Sequence, residues 1–122
     1  MHHYAKLLRA TTLTASLMLV ALVGAAVAGW LEDVLDVLER RGDYATEYRL
    51  VSPLAEKGDA VAQVRLGHMY VNGQGVPQDY VTAHIWLSLS GAQAITDAIK
   101  ERDAVERHMT PAQLAEAQKL VA

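Results

Sequence analysis

Cysteine and phenylalanine are both absent from the 122 residues, and proline occurs three times. Without cysteine the chain forms no disulfide and no thiolate metal site, and it carries no lipid on a processed N-terminal cysteine. Packing alone must hold the fold. Aromatics amount to 6%, and no stretch alternates apolar with polar residues, so the usual marks of β-strands are missing as well. Base is scarce once the first 28 positions are set apart. They hold Lys6 and Arg9 and no acid, which leaves nine basic residues against fourteen acidic ones in the remainder. A surplus of about five negative charges argues against a nucleic-acid partner.

The set-apart segment has a basic start, an apolar run over residues 17–23 and the small-residue string Ala25, Ala26, Val27, Ala28. This order predicts a secretory signal peptide over residues 1–28, removed after Ala28, and hence a periplasmic or secreted protein. The alternative is an uncleaved inner-membrane anchor over residues 10–28, a length just sufficient to span. In either case residues 29–122 are expected to form one small domain with a thin core.

Helical periodicity runs through that remainder. Residues 30–41 place Leu31, Val34, Leu35 and Leu38 on one face, with acids early, bases late and Gly42 as the stop. Asp43 is placed to cap a second helix reaching about residue 57, with Pro53 expected to kink or split it near Ser52. Asp59 caps a third helix over 60–71, and Asp79 a fourth that carries Tyr80, Ala83, Trp86, Leu87, Ser90 and Gly91 at spacings of three and four. A fifth helix is expected over 96–109, with Arg102–Glu106 and Asp103–Arg107 paired on its outer face. Thr110, Pro111 and Gln113 form a capping box that starts a sixth. Short breaks between helices predict that neighbours pack antiparallel.

Sliding the chain by 36 residues superposes Asp43 on Asp79, Tyr44 on Tyr80, Thr46 on Thr82 and Ser52 on Ser88. Such a period with two helices per unit indicates stacked helical hairpins. The stretch "AEKGDAVAQVRLGHMYVNGQGVPQDYVTAHIWLSLS" resembles the Sel-one-like repeat through Ala55, Glu56, Gly58, Ala62, Gln63, Leu66, Gly67, Tyr70, Gly73, Gly75, Val76, Asp79, Ala83 and Trp86. It departs at Ser90 and Gly91, where the family has alanines, and at Ala94, where it has glycine. The resemblance covers one unit strongly and its flanks loosely. It implies an all-α fold, a short right-handed αα-hairpin solenoid of about three hairpins, and an exported non-catalytic module that binds a protein or peptide. An envelope hydrolase or a β-lactam-binding protein on the same scaffold is the alternative. Relatives linked to β-lactams have cysteine-rich repeats, and this chain has no cysteine.

Chemistry-bearing motifs are few. The glycines of "LGHMYVNGQGVPQDY" follow a helix and precede Pro77, Gln78 and Asp79, with no lysine after them, so the stretch reads as a turn and not a phosphate loop. His68, His84 and His108 fall on separate helices without zinc spacing, and Ser52, Ser88 and Ser90 lack an elbow motif. No metal, cofactor or catalytic residue is therefore expected. A concave binding face is expected instead from the first helix of each unit. On the third helix Arg65, His68, Met69 and Asn72 point away from the Ala62, Leu66, Tyr70 stripe, and the 36-residue shift carries them to Glu101, Ala104, Val105 and His108. That groove is mixed and partly acidic, which suits a peptide with basic and apolar residues. Self-association is a further expectation for so short a stack.

Overall fold

In the computed structural model residues 29–121 are described, and the signal peptide or anchor expected over residues 1–28 lies outside them. The described residues form six helices and no strand: α1 over 29–41, α2 (Tyr44–Glu56), α3 (Ala60–Asn72), α4 (Tyr80–Gly91), α5 (Thr96–Glu106) and α6 (Pro111–Val121). None of them is long and apolar enough to cross a membrane. The chain divides into a unit up to Val37 and a unit from Leu38 onward. Of the first, the described part is the start of α1, where Leu35 is buried and Trp30 exposed.

Local chemistry sets most helix ends in the second unit. The carboxylates of Asp43, Asp59 and Asp79 accept from the backbone N–H of Thr46, Ala62 and Thr82, each three residues on. Each satisfies a donor that a helix start would otherwise leave orphaned, an arrangement worth about 1 kcal/mol per cap. Thr110 and Gln113 cap α6 reciprocally. The Thr110 N–H donates to the Gln113 side chain at 3.0 Å, and the Gln113 N–H donates to the Thr110 hydroxyl at 3.1 Å. Asp43 and Asp79 therefore behave alike, as the 36-residue correspondence requires.

Neighbouring helices pack in pairs: α2 on α3, α3 on α4, and α4 on both α5 and α6. The core of this unit holds Val51, Ala55, Ala62, Leu66, Met69, Ala83, Leu87, Ala98, Val105 and Ala117. Helices α3 and α4 approach closely at Gly67, where an added Cβ would stand 2.8 Å from Leu87 Cδ2. Among the described residues, every buried side-chain nitrogen and oxygen has a hydrogen-bond partner. Gln63 donates to the Ala55 carbonyl at 3.2 Å, Ser90 to that of Ala60 at 2.8 Å, and Gln93 to both the Gly58 carbonyl and Gln63 at 3.0 Å. These bonds tie the start of α3 to the ends of α2 and α4.

Two expected boundaries are corrected. Helix α2 runs through Pro53 without a split. Proline there frees only the carbonyl of Arg49, and Arg49 is exposed, so water is at hand for it. Helix α5 ends at Glu106 and not at residue 109. The N–H groups of His108 and Met109 bond back three residues, to Val105 and Glu106, and so tighten the chain into a turn ahead of the Thr110 cap.

Candidate functional site

Residues of α3 and α5 line a cavity of about 280 Å³, with Val71, Ala104 and Val105 as its apolar wall and His68, Asn72, Glu101 and His108 around it. Five of the seven residues expected on the binding face, His68, Asn72, Glu101, Val105 and His108, therefore meet at one place. The His68 ring nitrogen Nε2 is hydrogen-bonded to the Glu101 carboxylate and links the two helices. The His108 ring stacks on Tyr80 at 5.7 Å between centroids. A second hollow of about 370 Å³ adjoins the first through the shared residues His68 and Glu101, and is lined by Glu39, Val61, Val64, Arg65, Ile95 and Asp97.

The other two expected residues, Met69 and Arg65, need correction, and Val105 among the five is more deeply placed than a surface contact. Met69 is 2% exposed and belongs to the core. Helix α3 is packed by α2 on one side and α4 on the other, so its buried arc is wider than a single stripe and takes in Met69 seven residues after Ala62. Val105 is 4% exposed and also faces inward, at seven residues from Ala98, although part of it forms the cavity wall. Arg65 is mostly buried and lies 3.5 Å from Glu47 and 3.7 Å from Glu39, so its guanidinium is committed within the fold. Burial raises the Glu47 carboxyl above its ordinary range, and Arg65 opposes that rise. Arg65 is thus a structural cation that also borders the larger hollow.

The expected pairs on the outer face of α5 do not form as drawn. Arg102 bonds to the adjacent Asp103 at 2.9 Å. Glu106 turns to α4, where its Oε1 accepts from His84 Nε2 at 2.9 Å, and His84 is almost completely buried. The other ring nitrogen, Nδ1, lies 3.3 Å from the Ser88 hydroxyl one helical turn on. In the neutral imidazole this network fixes the tautomer: Nε2–H donates to the carboxylate, and the Nδ1 lone pair accepts the serine proton. All three residues border a cavity of about 620 Å³ together with Gly91, Ala92, Ile99, Arg102, Gln118 and Val121. Sequence reasoning missed this chain, because its one local signal was the four-residue spacing of His84 and Ser88 on a helix, and its acid comes from elsewhere.

The three internal histidines thus have separate partners, and no group of three metal-ligating side chains gathers among the described residues. No family model, no curated protein and no solved structure significantly matches this chain.

Proposed function

We propose that this chain is an exported, Sel-one-like helical-hairpin module, a short right-handed solenoid that binds a peptide segment of a protein partner on the face formed by α3 and α5. The observation that carries this reading is the meeting of His68, Asn72, Glu101, Val105 and His108 at one apolar-walled cavity. A cavity of about 280 Å³ accommodates an apolar side chain, and burying one contributes about 1.5–3 kcal/mol. The adjoining hollow presents Glu39, Asp97 and Glu101, while its one arginine is engaged by Glu39 and Glu47. An apolar residue flanked by lysine or arginine matches that surface in shape and in charge. The export assignment rests on the Ala26, Val27, Ala28 string and the apolar run ahead of it.

Glu101→Lys tests the peptide reading. The side chain is half-exposed but bonds to His68 across α3 and α5, so unchanged helicity and melting temperature of the variant are verified before binding is compared. Peptides selected from a randomised library on the wild-type protein are expected to be rich in basic and apolar residues, and to bind the variant at least about tenfold more weakly, the equivalent of losing one favourable charge contact. Selected peptides without basic residues, or equal binding to a variant of unchanged helicity, would place the site elsewhere.

A further inference from the structure

The cavity of about 620 Å³ beside α4 and α5 is not used by the peptide reading, and its wall carries an ordered chain of three reactive groups. Ser88 presents a hydroxyl to His84 Nδ1 at 3.3 Å, and the opposite nitrogen of the same ring is held at 2.9 Å by Glu106. A nucleophile in reach of a base, with the base oriented by a carboxylate, is the arrangement by which a hydroxyl is activated for attack. Distances somewhat above 3 Å are usual for the hydroxyl–imidazole contact before substrate binds.

The 36-residue correspondence supplies an internal control. Ser52 of α2 is the counterpart of Ser88, equally half-buried and at the same helical position, but four residues before it stands Tyr48 where α4 has His84. The two serines thus share a scaffold and differ in having a base. The cavity at Ser88 adds an apolar wall of Ala92, Ile99 and Val121 and one cation, Arg102, whose Nε and Nη2 are anchored on Asp103.

We infer that Ser88 is an acyl-accepting nucleophile, with His84 as its base and Glu106 as the residue that positions His84, and that the cavity takes carboxylic esters with an apolar acyl group. In the first step Ser88 Oγ forms a bond to the carbonyl carbon, and its proton passes to His84 Nδ1. The carbonyl oxygen takes up the electron pair and lies on the side of Arg102. Collapse of that adduct breaks the bond to the alkoxy group, which leaves with the proton from His84. Water activated by the same imidazole then attacks the acyl-serine, releases the carboxylic acid and restores the hydroxyl. No oxidant or further reactant enters. This activity is independent of peptide binding at α3 and α5.

The test uses the full chain and a fluorophosphonate, which a nucleophilic serine attacks at phosphorus with loss of fluoride. Mass spectrometry then reads the modification at each serine. Ser88 is expected to react at least about a hundredfold faster than Ser52, the usual contribution of a positioned base. In His84→Gln the Ser88 rate is expected to fall to that of Ser52, and in His84→Ala added imidazole is expected to restore it, an effect that a purely structural histidine would not show. Glu106→Gln is expected to slow Ser88 while leaving Ser52 unchanged. Equal rates at the two serines of the wild-type chain would overturn the assignment without reference to any variant. So would a Ser88 rate unaffected by His84→Gln in a protein of unchanged melting temperature.

Discussion

Helix α2 buries a carboxylate where α4, 36 residues further on, buries a methyl group: Glu47 against Ala83. The two helices open alike, with Asp43 and Asp79 capping Thr46 and Thr82, and both bury the next apolar position fully, Val51 and Leu87. Their divergence lies in the polar groups set between those fixed points. Helix α2 holds Glu47 against Arg65 of α3, and α4 holds His84 against Glu106 of α5. The backbone frame is thus specified by caps and apolar spacing, while each copy is free to bury a different ionisable group provided the next helix supplies its partner. That freedom allows one scaffold to carry a structural ion pair in one copy and a reactive chain in the other.

Removing the partner in α2 is expected to be the most damaging way to break this symmetry. Arg65→Met leaves Glu47 buried without its cation, at a cost of about 3 kcal/mol. Copying the α4 residue as well, in Arg65→Met with Glu47→Ala, is expected to recover part of that loss, because neither charge then remains in the core. The pH dependence gives the sign. The Glu47 carboxyl is already raised by burial, and losing Arg65 raises it further. The variant's deficit is therefore relieved below the ordinary carboxylate value of 4.5 and grows as pH climbs through the folded value. Urea titrations between pH 4 and pH 8 read both effects, with the ordinary carboxylate range falling inside that window. A double variant less stable than the single one would show that the pair is not what holds Glu47 in place.

The starts of the two helices offer the next largest contrast. At α4 the Tyr80 ring is covered by His108. At α2 the Tyr44 carbonyl lies beneath Gly75, where a Cβ would come within 2.8 Å of that oxygen and 3.0 Å of Met69 Cε. Gly75 also has φ +74°, a conformation that a β-branched residue tolerates poorly. Gly75→Val is expected to cost about 2–3 kcal/mol through strain and the clash with backbone together, lowering the thermal midpoint by several degrees. An unchanged melt would mean that the loop is not seated on α2 in solution.

The caps at Asp43, Asp59 and Asp79 and the Thr110–Gln113 box were legible because each is settled within four residues of sequence. The turn through Gly73 and Gly75 was legible for the same reason. Met69 was misplaced because the width of a buried arc depends on how many helices surround it, which periodicity within α3 does not contain. The Glu47–Arg65 and His84–Glu106 pairs were invisible for a related reason. Each joins two helices, and whether their side chains meet is set by the rotation and offset of those helices. Transferring positions through the repeat named five residues that line one cavity, His68, Asn72, Glu101, Val105 and His108, whereas Arg65 is held in an ion pair and Met69 lies in the core.

The smallest expected effect lies where the repeat pattern itself lapses. Gly58 follows α2 with φ +99°, and its counterpart after α4 is Ala94, which takes φ +64° although it has a Cβ. Holding an alanine in the left-handed region costs about 1 kcal/mol or somewhat more, because its Cβ crowds the following carbonyl oxygen. Replacing it by glycine removes that strain but gives the unfolded chain more freedom, which takes back about half of the gain. Ala94→Gly is therefore expected to stabilise the fold by about 0.5 kcal/mol. Gly58→Ala, with no heavy atom within 4 Å of the new Cβ, is expected to cost a similar amount through strain alone. Measured together by chemical denaturation, the two swaps should have opposite signs. The same sign for both would mean that the chain at one of the two corners relaxes out of the left-handed region, and the equivalence of the α2 and α4 corners would then be lost.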